Sequence, residues 1–108
     1  MIINGKKVDS VSGETFDVLA PATGKVIESV PKATAEDVEK AIDAAVAGQK
    51  VWEQVPISER AKVLYKFLDI VEQNKESLAQ TLSAENGKPI NEARAEIGNI
   101  NIGFSGFI

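Results

Sequence analysis

The sequence predicts an α+β fold, with short antiparallel hairpins over residues 1–31 and three helices over residues 32–108. Turn-forming dipeptides separate short β-rich runs in the first third. From residue 34 the apolar residues change to helical spacing. The composition, 44% hydrophobic and 26% charged, is that of an ordinary globular chain of 108 residues.

The first hairpin is signalled by Asn4-Gly5 between Ile2-Ile3 and Lys6-Lys7-Val8. Asn-Gly tolerates the positive φ that a two-residue hairpin turn demands at both positions. A second strand signal runs from Phe16 to Ala20. Pro21-Ala22-Thr23-Gly24 then supplies turn chemistry, and Lys25 to Val30 reads as a returning strand that Pro31 ends.

Thr34 followed by Asp37 has the form of a capping box. Val38, Ala41, Ile42, Ala45 and Val46 then make one apolar stripe on a helix predicted over 34–50, with Gly48 weakening its end. Glu36, Asp37 and Glu39 read as helix-opening acids that favour the positive end of the helix dipole. Trp52 is expected in the connection, anchoring it to the core. Ser58 is the next candidate cap, and a long second helix is expected to run to Asn86, with Leu64, Phe67, Leu68, Val71, Leu78 and Leu82 on one side. Gly87 is placed to end it as a left-handed residue, and Pro89 to open a third helix carrying Ile90, Ala93, Ile97, Ile100, Phe104 and Phe107.

Composition also excludes functions. The net charge of −4 gives no attraction to nucleic acid or to anionic lipid, and no run approaches membrane-spanning length. With no apolar leader at Met-Ile-Ile-Asn-Gly, a cytoplasmic location is the expectation. Cysteine and histidine are both absent. Thiol nucleophiles, imidazole bases and the usual zinc and haem ligands are therefore missing. No Gly-x-Gly-x-x-Gly or phosphate loop occurs, and Gly103-Phe104-Ser105-Gly106 lacks the spacing of a nucleophile elbow. No charged residue follows Glu96, and apolar residues crowd the last stretch to Phe107-Ile108. This end reads either as a helix whose packing partner lies later in sequence or as a buried C-terminal helix docked in its own core.

Four segments, in order, resemble one family. Leu19-Ala20-Pro21-Ala22-Thr23-Gly24-Lys25-Val26-Ile27 is similar to a stretch near the start of aldehyde dehydrogenases. Ala33-Thr34-Ala35-Glu36-Asp37-Val38 to Ala41, with Ala44-Ala45, resembles their first long helix. Trp52 to Pro56 with Glu59-Arg60-Ala61 resembles the entry into the next. Glu85-Asn86-Gly87-Lys88-Pro89 with Glu92-Ala93-Arg94-Ala95-Glu96-Ile97 completes the series and looks nearest to succinate-semialdehyde dehydrogenases. Ala20 departs from the pattern, where asparagine is usual; this affects a turn.

The resemblance implies a parent enzyme that oxidises an aldehyde to a carboxylate with NAD or NADP, through a cysteine adduct. It implies that these residues belong to an α/β cofactor-binding domain, interrupted before the dinucleotide-binding fold. The family's catalytic cysteine, its glutamate base and its oxyanion asparagine have no counterpart position here. No catalytic residue is assigned, and no cofactor is expected on this segment alone. Two lesser roles are implied: a monovalent cation held by the carbonyls of Val18 and Leu19 and the carboxylate of Glu85, and an aldehyde tunnel faced by Asn99. The alternative reading is a stand-alone, self-associating binding or assembly module of the same ancestry. Homo-oligomerisation is expected, since bare apolar stripes are rarely tolerated on monomers.

Overall fold

The computed structural model describes residues 1–108 and has the α+β architecture expected, with two two-stranded antiparallel sheets and four helices. β1 (Ile2–Ile3) pairs with β2 (Lys6–Lys7), in the register Ile2 opposite Lys7 and Ile3 opposite Lys6. Asn4 and Gly5 take φ of 51° and 71°, the two positive values that the Asn-Gly dipeptide foretold. β3 (Thr15–Leu19) pairs with β4 (Val26–Pro31). The turn between them is closed on the Ala20 carbonyl, which accepts from the Thr23 and Gly24 amides at 3.1 and 2.8 Å.

The helices are α1 (Ala35–Trp52), α2 (Ile57–Gln73), α3 (Lys75–Asn86) and α4 (Ile90–Ser105). The chain divides into two compact units: Met1–Val18 with Glu28–Val55, and Leu19–Ile27 with Pro56–Ile108. In the first, α1 meets β1. In the second, α4 packs along α2 and α3, and the core is Leu68, Val71, Ala79 and Ala93. Ala79 and Ala93 are both 0% exposed. Small residues at these positions let the backbones of α3 and α4 approach closely.

Four expectations are corrected. The single helix expected to reach Asn86 is two helices, broken at Asn74, whose φ of −107° and ψ of 9° leave the helical region. Its own side chain adds to the local bonding there: Nδ2 donates at 2.8 Å to the Ile70 carbonyl, which also accepts the Asn74 amide at 3.1 Å. Ser58 is not a cap; α2 starts one residue before it, on Pro56, whose carbonyl accepts from the Glu59 and Arg60 amides. The first helix, expected over 34–50, runs on past Lys50 to Trp52 and closes on the Glu53 amide donating to Gln49. Trp52 is the last residue of α1 rather than a core anchor, and its surface stays 38% exposed. Gly87 does end α3 in the left-handed region, at φ 79°.

Candidate functional site

In the first unit, the polar side chains converge on Asp37, which is 3% exposed. The capping box foreseen at Thr34 is present: the Asp37 amide donates to Thr34 Oγ1 at 3.3 Å, and the Thr34 amide donates back to Asp37 Oδ2 at 2.9 Å. The same carboxylate also accepts from Thr34 Oγ1 and from Ser10 Oγ, each at 2.9 Å, and from the Val11 amide at 3.2 Å. Ser10 has one hydroxyl proton and directs it to Asp37, so Ser12 Oγ is the donor in the 3.0 Å contact between the two serines. The Glu14 amide donates to Ser12 Oγ at 3.1 Å. A chain of donors thus runs from the loop after β2 to the start of α1.

Donors of this number hold the carboxyl ionised. The Thr34 amide is the largest influence, opposed by burial and supported by Ser10, and the Asp37 pKa falls from 3.8 to about 2. In the second unit, Glu76 is brought to about 2 by Arg94, which donates from Nε and Nη2 at 2.8 and 2.7 Å. Carboxylates this acidic are poor general bases near neutral pH. Both groups serve the fold.

The second unit also carries an apolar cleft of about 430 Å³ between α2, α3 and α4. Phe67, Ile70, Leu78, Ile97 and Ile100 line it, with Asn74 and Ser77 as polar neighbours. No ionisable side chain is among its walls. The size suits a small apolar group, and no base among the walls stands ready to activate the Ser77 hydroxyl. Its walls carry no lysine, arginine or glycine, the residues that favour a pyrophosphate.

The four residues singled out from sequence are spread over the chain. Val18 is half-buried in β3 and belongs to the first unit; Leu19, the exposed end of β3, belongs to the second. Glu85 is exposed in the last turn of α3, and Asn99 is exposed on α4. Within the second unit, the turns that follow Leu19 and Glu85 meet: a Cβ added to Gly87 would lie 3.3 Å from the Cβ of Pro21. Sequence reasoning missed the Ser10–Asp37 bond and the Glu76–Arg94 pair, which join residues distant in the chain and leave no local spacing to read.

Comparison with known proteins accords with this fold. The sequence pattern described as the aldehyde dehydrogenase family matches residues 7–105. Malonate-semialdehyde dehydrogenase 1 of Bacillus thuringiensis (strain Al Hakam) is 45% identical over 95 residues, which are 88% of this chain and 20% of that protein. The crystal structure of succinate-semialdehyde dehydrogenase from Burkholderia pseudomallei superposes with a TM-score of 0.89 at 38% identity, over 93% of this chain and 21% of that one. An NAD-dependent aldehyde dehydrogenase from Sinorhizobium meliloti gives 0.92 at 38% identity, over 97% and 22%. The chain spans about a fifth of the length of these relatives. With nearly every residue inside the family pattern and the fold reproduced in solved members, this chain belongs to the aldehyde dehydrogenase family.

Proposed function

We propose that these residues act as the N-terminal segment of a cytoplasmic NAD(P)-dependent aldehyde dehydrogenase that oxidises a short aldehyde bearing a carboxylate, of the malonate- or succinate-semialdehyde type. The observation that carries this reading is the family match over residues 7–105 in a chain without cysteine. Oxidation through a covalent acyl adduct needs a soft nucleophile, and no side chain here provides one. The segment's part is architectural. NAD or NADP would be held by residues other than these and would supply the hydride acceptor. Leu19, through its carbonyl, and Glu85, through its carboxylate, offer the oxygen donors that a monovalent cation prefers, and the Pro21–Gly87 approach supports that role. Asn99, exposed on α4, is the residue that faces the aldehyde path.

The test is complementation. The 108-residue chain, mixed with either semialdehyde and NAD or NADP, gives no reduced cofactor. Co-folded with the remaining part of the Bacillus thuringiensis relative, it restores turnover. Turnover by the chain alone, or none after co-folding, overturns the reading.

A second reading has its own support. Val38, Ile42 and Val46 form the apolar stripe of α1, yet each is about half exposed; Ile42 is at 56%. Phe107 is 90% exposed. A self-associating module would cover such surface between copies. A monomer in light scattering at high concentration removes this alternative without touching the first.

A further inference from the structure

The sequence contains two Asn-Gly pairs, Asn4-Gly5 and Asn86-Gly87, and the structure treats them differently. This dipeptide is the one most open to spontaneous deamidation, because glycine has no side chain to shield its backbone nitrogen. Reaction requires that nitrogen to be free and the local backbone to move. The Gly87 amide is engaged: it donates to the Ser83 carbonyl at 2.9 Å, and Asn86 is held in the last turn of α3. The Gly5 amide makes no such bond, and nothing lies within 4 Å of the position a Cβ would take there. Asn4 is exposed, and its side chain donates to and accepts from no neighbour. Its φ of 51° lies in the left-handed region, which asparagine tolerates better than most residues with a side chain. The hairpin around it has strands of two residues each, and short two-stranded ladders open readily. Exposed Lys6 and Lys7 follow directly, and their positive charge favours the anionic amide nitrogen that attacks.

We infer that Asn4 is a site of spontaneous covalent modification, converting to aspartate and isoaspartate, while Asn86 is protected by the cap of α3. In the first step the Gly5 nitrogen gives its proton to solvent base and bonds to Cγ of Asn4. The Cγ–Nδ2 bond breaks, and nitrogen leaves as ammonia with a proton from water. Water then opens the five-membered succinimide at either carbonyl. No electrons are exchanged. Opening at one carbonyl places an extra carbon in the main chain at a two-residue turn, which disturbs the Ile2–Lys7 and Ile3–Lys6 register.

The test incubates the full chain in mildly alkaline buffer, folded and in concentrated urea, and follows both sites by peptide mass spectrometry and enzymatic methylation of isoaspartate. In the folded chain Asn4 reacts more than ~10-fold faster than Asn86, a difference that local opening at one site and protection at the other can supply. In urea the two rates come within about twofold, as sites of unequal protection do once structure is lost. A folded-state ratio equal to that in urea, or one favouring Asn86, overturns the inference.

Discussion

Arg94 on α4 holds Glu76 on α3 with two hydrogen bonds, one to each carboxylate oxygen, Nε to Oε2 at 2.8 Å and Nη2 to Oε1 at 2.7 Å. Fork geometry of this kind fixes orientation as well as distance. Gln80 adds a third donor to Glu76 at 3.2 Å, and Asn91 accepts from Arg94 Nη1 at 3.0 Å. The pair ties together the two helices that carry the buried Ala79 and Ala93.

That pair and Asp37 set the acid limit of stability. Both folded pKa values are depressed, from 4.5 and 3.8 to about 2. The unfolded chain therefore binds protons first as pH falls, and the stabilisation is complete above the ordinary carboxylate values. It is lost as pH drops from those values towards about 2. Glu76 is well exposed and screened, so its share is the smaller. Urea midpoints recorded across this window should fall steadily, and less steeply in Glu76→Gln. An unchanged slope in that variant would show that the ion pair is idle.

Asp37→Ala should release the loop after β2 as well as the start of α1. Amide exchange at Val11 and Thr34 speeds up together, because both donors lose their acceptor. Asp37→Asn, which keeps one acceptor oxygen, has a weaker effect. Exchange that rises at Thr34 alone would mean that the carboxylate only caps the helix.

Two glycine-to-alanine changes should move stability in opposite directions. Gly48 lies inside α1 with open space around it, so Gly48→Ala stabilises by about 0.5–1 kcal/mol. Gly87 has φ 79° and the Pro21 ring close by, so Gly87→Ala destabilises by about 1–2 kcal/mol or more. Chemical denaturation of the two variants side by side reads the signs directly.

Leu68 is 7% exposed in the small core of the second unit, and Leu68→Ala should cost about 2–5 kcal/mol. Ala93→Leu forces a larger side chain into a position with no free surface and should cost about 1–3 kcal/mol. A thermal melt of Ala93→Leu matching the unaltered protein would place that residue outside the α3–α4 contact.

Local chemistry was legible in the sequence wherever one dipeptide or one cap governs conformation. Asn4-Gly5, the Pro21–Gly24 turn, the Thr34 box and the Gly87 stop all took their expected forms. The break at Asn74 was not legible, because neither proline nor glycine marks it. It rests on a weak helix former whose side-chain amide joins its own backbone N–H on the Ile70 carbonyl. Apolar stripes were readable as stripes, but not as buried faces: Val38, Ile42 and Val46 keep the helical spacing while remaining about half exposed. The cation and tunnel residues Val18, Leu19, Glu85 and Asn99 came from family resemblance, since carbonyl donors carry no side-chain signature.

Asp37 serves two masters, the helix behind it and the loop before it, through one pair of oxygens. Ser10 and Thr34 are therefore epistatic although 24 positions apart in the chain. Loss of either hydroxyl leaves the carboxylate to its remaining donors, so the two losses do not simply add. Mutational tolerance at one position must be read with the genotype at the other in hand.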